Sequence, residues 1–221
     1  LSLSERKAFG AILLICIASI LFWAGFEQAG SSLNLFTRDF TNRLVANFEI
    51  PSAWFQSINS IFIIVLSPFF ASLWINLGKR LTQPYFGLKC AAGLLIMALG
   101  FIVMFFAAQF AASGLKVAPS WLITTYFLHT VGELCISPVA LSAISKLSPK
   151  RFTGQMMGLF TLTYSIGSLL AGLIAGKFNP ENVQEMPLLF LQIGAYSIIA
   201  GLIIGFCSLL VRQWESVQIE K

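Results

Sequence analysis

The stretch VAPSWLITTYFLHTVGELCISPVALSAIS, residues 117–145, contains one charged residue, Glu133, in an otherwise membrane-type run. At about 1.5 Å per helical residue, Glu133 lies roughly 24 Å from Val117 and roughly 20 Å from Lys146, near the middle of a bilayer. Removing a carboxylate from water there costs on the order of 3 kcal/mol even on mild insertion scales, so such a residue is a functional candidate by default. Read as a helix, the stretch puts His129, Glu133 and Ser137 on one face at i, i+4 and i+8. Pro138 removes the hydrogen bond to the carbonyl of Leu134 and is expected to kink or break the helix.

Outward from this stretch the same pattern recurs. Of 221 residues 57% are apolar, 21 are Phe and only 10% are charged, with a mean hydropathy of +0.83. So much apolar surface has no place in a soluble domain. Cutting the chain at its charges leaves six long runs: Ala8 to Phe26, Ile50 to Gly78, Cys90 to Leu115, Val117 to Ser145, Phe152 to Gly176 and Met186 to Val211. Each exceeds the roughly 18 residues a spanning helix needs. The expected architecture is an all-α polytopic membrane bundle of six transmembrane helices, with spans near 8–36, 50–78, 90–115, 119–146, 152–176 and 187–211.

The side of the bundle that holds both termini carries 10 of the 14 basic residues, among them Arg6, Lys79, Arg80, Lys150, Arg212 and Lys221. By the positive-inside rule both termini are cytoplasmic. The net charge of +5 therefore reports topology and attraction to anionic headgroups, and gives no reason to expect nucleic acid. Cys16, Cys90, Cys135 and Cys207 lack metal-type spacing and read as small apolar packers. The first run is too long for a cleavable signal, and the chain begins at Leu1, as a piece of something longer would.

Few turn signals follow Glu27 before Pro51, so the first helix is expected to continue past Phe26 to Thr37, aligning Trp23, Glu27, Ser31 and Asn34 at i, i+4, i+8 and i+11. Lys7 to Glu27 measures roughly 30 Å of helix, placing Glu27 near the outer boundary. Pro51, Pro119 and Pro187 suit helix starts, whereas Pro68, like Pro138, is internal. Gln56 and Asn59 share a face in the second span, and the fifth offers Phe160 and Tyr164. Gly154, Gly158, Ser168, Gly172 and Gly176 give the fifth span a face suited to close helix packing.

These residues would wall a cavity with two carboxylates, amides, hydroxyls and aromatic panels, but no intramembrane Lys or Arg. Such a wall can hold a cation or a proton; an anion needs a partner from elsewhere. Each residue also has a plainer reading. Glu133 can be a neutral packing carboxyl, Glu27 can reach water or a loop Arg, and Trp23 and Phe160 can be core or lipid contacts. His129 can be a helix-to-helix hydrogen bond or a proton relay. With one histidine in the chain and no H-E-x-x-H, G-x-S-x-G, P-loop or dinucleotide fingerprint, neither a metal site nor enzymatic turnover is expected.

The motifs together resemble a known family. Phe22-Trp23-Ala24-Gly25-Phe26-Glu27-Gln28-Ala29-Gly30-Ser31-Ser32 is similar to the seventh-helix signature of the proton-dependent oligopeptide transporters, a branch of the major facilitator superfamily. Gln56-Ser57-Ile58-Asn59, Gly132-Glu133-Leu134-Cys135-Ile136-Ser137-Pro138-Val139 and Gln155-Met156-Met157-Gly158-Leu159 agree in order. So does the stretch Ser67 to Lys89 with Pro68, Trp74, Leu77-Gly78-Lys79-Arg80 and Pro84. Phe160 departs from the family's usual Trp, and Gly167-Ser168 from its common Gly-Asn.

The resemblance implies the C-terminal half, helices 7–12, of a proton-coupled symporter of di- and tripeptides working by alternating access in a bacterial inner membrane. It implies the proton as coupling ion and no other cofactor, and as partners a di- or tripeptide, the lipid bilayer and an N-terminal six-helix half. Glu133 would hold the peptide amino terminus, Asn59 its backbone amides, and Ser137 would line the site. Trp23 and Phe26 would shape the pocket, and Glu27 would join the outer gate and proton coupling. The family's Glu-x-x-Glu-Arg motif and fourth-helix lysine are absent here, and would supply the missing cations. A facilitator for nitrate or another small solute, and a self-standing six-helix channel or structural membrane protein, are the competing expectations.

Overall fold

Backbone polar groups have no water to bond in hydrocarbon, so apolar runs of this length satisfy them internally as helices. The computed structural model describes residues 3–45, 47–80, 86–177 and 183–216. Pro84 and Lys221 lie outside the described residues, as do the side chains of Lys79, Arg80 and Arg212. Helices α1 (Leu3–Phe26), α2 (Ser32–Phe40), α3 (Ser57–Arg80), α4 (Phe86–Ala112), α5 (Pro119–Leu147), α6 (Thr153–Ala175) and α7 (Met186–Ser216) follow in chain order. Six stretches are long and apolar enough to cross a membrane: Glu5–Phe40, Ser52–Gly78, Phe86–Ala112, Pro119–Leu147, Lys150–Ala175 and Val183–Val211. The protein is an all-α, multi-pass membrane protein.

The first span is not one continuous helix. A 3-10 turn, Glu27–Gly30, separates α1 from α2, and Ser31 leaves the helical region at φ −124°, ψ −99°. The expected alignment of Trp23 and Glu27 with Ser31 and Asn34 is therefore broken. The reason is Gln28, fully buried. Its amide nitrogen donates to the carbonyls of Ala24 at 3.2 Å and of Ala171 in α6 at 3.1 Å, and its oxygen accepts from Ser32 Oγ at 2.7 Å. A buried amide with this many bonds fixes the break and joins it to α6.

Neither internal proline breaks its helix, contrary to one of the two expectations for them: α3 runs through Pro68 and α5 through Pro138. After α4, Gly114 at φ +86° reverses the chain where an L side chain is strained. Between α2 and α3 a two-stranded hairpin, β1 (Leu44–Val45) with β2 (Phe48–Glu49), turns at Asn47, φ 66°. Arg43 braces it, donating to the Ile50 carbonyl and to Glu49 Oε1 at 2.6 Å. The backbone bonds Asn42 N to Val117 O and Val117 N to Phe40 O, both 2.9 Å, tie the outer end of α2 to the start of α5.

Helix α4 forms the centre, packed by α5 and α7, while α1 packs on α6 and α7. The α4–α5 approach is close because Gly93 and Gly132 face one another: a Cβ at either would sit 2.8 Å from the other's carbonyl oxygen. The glycine that seats α6 on α1 is Gly167, where an added Cβ would collide with Trp23 Cβ. On the expected packing face, Gly154, Gly158 and Gly172 have open space where a side chain would stand among the described residues. Cys16, Cys90 and Cys135 are buried and Cys207 partly so.

Candidate functional site

α5 carries the carboxylate and α3 brings an amide to it. Asn59 Nδ2 donates to Glu133 Oε2 at 3.1 Å, joining residues 74 apart in sequence. Both side chains are half-buried, so each keeps a surface open to a ligand. An amide that donates to one carboxylate oxygen orients the group and leaves the other oxygen available. Among the described residues no cation pairs with Glu133. The carboxylate therefore has an amide partner but no counter-charge.

The rest of the predicted set gathers around this pair. Tyr164 of α6 lies beside Ser137, one turn beyond Glu133, and within electrostatic reach of Glu133 itself. Glu27 and Glu133 also lie within electrostatic reach of one another. The Trp23 ring stands 4.4 Å from that of Tyr164, Phe160 packs edge-on to Tyr164 at 5.4 Å, and Phe26 edge-on to Trp23 at 5.2 Å. Two helices, α1 and α6, thus build one aromatic panel beside the carboxylates. Trp23 Nε1 has no protein partner although the atom is buried, so the panel retains an unused donor.

Glu27 sits half-buried in the 3-10 turn. The loop arginines do not take it: Arg38 pairs with Asp39 at 2.7 Å and Arg43 with Glu49 at 2.6 Å. His129 is separated from the open wall. It is 1% exposed, and its ring is fitted against Phe101 at 4.7 Å and over Gly100, where a Cβ would meet Nε2 at 2.6 Å. The ring is held in the α4–α5 interface, beside the Met97 backbone of α4.

Two groups escaped the sequence reading. Gln28 is the hinge clamp of the first span, and a polar residue beside a carboxylate in an apolar run was its only signal. Trp74 of α3 donates from Nε1 to the Leu134 carbonyl at 3.3 Å, while Lys89 Nζ lies 4.5 Å over its ring. The proline rule names Leu134 as the orphaned acceptor, but no sequence pattern names its donor.

The wall is open. Two surface crevices lie elsewhere, one between α4 and α7 lined by Phe105, Gln109 and Leu188, the other between α1 and α6 lined by Phe9, Phe152 and Met156. Two carboxylates, an amide and a panel of aromatic rings thus lie together in a helical membrane bundle. The chain belongs to the POT family, whose model matches residues 2–197.

Individual relatives agree. The peptide transporter YePEPT of Yersinia enterocolitica is 40% identical over 206 residues, covering 92% of this chain and 40% of the relative. Dipeptide and tripeptide permease A of Chromobacterium violaceum is 30% identical over 220 residues, covering 96% of this chain and 43% of that permease. A crystal structure of peptide transporter POT in complex with sulfate superposes with a TM-score of 0.85 at 36% identity, over 96% of this chain and 42% of that one. The chain thus spans about 40% of the length of the curated relatives it matches.

Proposed function

We propose that this chain is the C-terminal half, helices 7–12, of a proton-coupled symporter of di- and tripeptides. The observation that carries the reading is the Asn59–Glu133 pair at 3.1 Å beside the Trp23–Tyr164 panel. Glu133 receives the peptide ammonium on its free carboxylate oxygen, Asn59 turns to the peptide backbone, and Ser137 and Tyr164 line the adjoining surface. Trp23, Phe26 and Phe160 set the width available to substrate side chains. A carboxylate in a low-dielectric wall is stabilised by a proton or by a cation, so one partner can be exchanged for the other. Glu27, close enough to sense Glu133, joins the outer gate and exchanges its proton for a basic residue of the N-terminal half. The proton is the coupling ion and no other cofactor takes part. Both termini lie in the cytoplasm of a bacterial inner membrane, and transport proceeds by alternating access with no chemical change in the peptide.

The test uses the full-length transporter that carries this chain, reconstituted in vesicles. Glu133→Gln is expected to abolish labelled dipeptide uptake while leaving the folded yield intact, and Glu27→Gln to impair proton-driven accumulation more than peptide exchange. Normal uptake by Glu133→Gln removes that residue from the site. Competition by nitrate but not by unlabelled peptides overturns the substrate class.

A further inference from the structure

Pro138 has no N–H, so the carbonyl of Leu134, one turn earlier in α5, loses its intrahelical donor. In the membrane interior water does not replace it, and an orphaned carbonyl is costly. The indole N–H of Trp74 fills the vacancy at 3.3 Å. The peptide unit it holds is that of Leu134, the residue after Glu133. Helix α3 therefore grips α5 twice in succession: Asn59 holds the Glu133 carboxylate and Trp74 the next residue's backbone. The indole is itself held, with the Lys89 ammonium of α4 4.5 Å above its ring and Phe70 6.0 Å to the side. Cation–π contact and aromatic packing fix the ring so that its single donor points at one acceptor.

We infer that Trp74 is a positioning residue for Glu133: its N–H replaces the hydrogen bond Pro138 removes, and so fixes the direction from which the carboxylate faces the peptide. The inference rests on Glu133 being the ammonium site. It also explains why α5 passes through a proline next to its one buried charge and stays helical: the missing bond is restored from the neighbouring helix.

This relation makes Trp74 and Pro138 interdependent, which ring packing alone does not. In Pro138→Ala the new amide bonds Leu134 from within α5, and the indole donor becomes redundant. The experiment is a double-mutant cycle in the full-length transporter, reading the KM and kcat of labelled dipeptide uptake. Trp74→Phe keeps an aromatic ring under Lys89 and removes the donor. With Pro138 present it is expected to raise KM about threefold to tenfold, the size of one hydrogen bond, with a smaller change in kcat. In the Pro138→Ala background the same substitution is expected to change KM less than twofold.

Equal effects in both backgrounds assign Trp74 to packing and overturn the inference, as does an unchanged KM with Pro138 present. If Trp74→Phe does not fold, the yield of folded protein is read across the same cycle: recovery in Trp74→Phe/Pro138→Ala supports the bond, and failure to recover overturns it. Absence of peptide uptake by the unsubstituted transporter overturns the peptide reading instead, a result the yield arm does not depend on.

Discussion

Helices α3 and α4 are alike as sequences and opposite as structures. Both are apolar enough to span a membrane, yet 56% of α4's most apolar stretch is buried and 0% of α3's. α4 is enclosed by α5 and α7. α3 rests mainly on α5, leaves Ile64 75% and Phe69 69% exposed, and supplies Asn59 and Trp74. Apolar composition selects lipid or protein over water and does not choose between them. The buried helix gives the bundle its rigidity. The uncovered helix supplies Asn59, half-buried and bonded to Glu133.

Matched substitutions test this contrast. Leu94→Ala in α4 deletes a side chain with no exposure, and is expected to cost about 2–5 kcal/mol. The full-length transporter should melt several degrees lower, with transport per folded molecule preserved. A negligible shift would place the rigid centre elsewhere. Asn59→Ala in α3 should do the reverse. The folded yield is retained while peptide uptake falls about tenfold to a hundredfold, as expected for one hydrogen bond of about 1.5–3 kcal/mol to a charged group; a fall in yield instead would make Asn59 part of the scaffold. Ile64→Ala, the counterpart of Leu94→Ala on α3, has the smallest expected effect, within about 0.5 kcal/mol in the melting of the full-length protein. A loss as large as that of Leu94→Ala would show that a part of the transporter outside this chain buries Ile64, and would turn the comparison into a map of that contact.

Much of the site was legible because each clue was local. Glu133 declares itself by cost, since an isolated carboxylate in an apolar run needs a reason. Asn59, Ser137, Trp23, Phe26, Phe160 and Tyr164 were named from helical spacing and motif order, and the structure gathers these around α5. His129 was left between a helix-to-helix bond and a proton relay; the facing Gly100 on α4, which makes room for its ring, has no periodic signal that could have placed it. The glycine face of α6 was likewise read from spacing, while the close approach to Trp23 is made by Gly167, whose importance depends on which way the helix is turned.

The sequence by itself determined the six spans, their alternation, and the membrane cost of Glu133, because hydrophobic length, charge and proline position act within one segment. The tertiary structure decided which apolar helix is enclosed and which is open, where the first span breaks, and what completes α5. Those outcomes depend on bonds between distant residues: Gln28 to Ala171, Asn59 to Glu133, and Trp74 to Leu134. A donor and an acceptor so far apart in the chain leave no periodic trace, and only the packing of the helices brings them within reach.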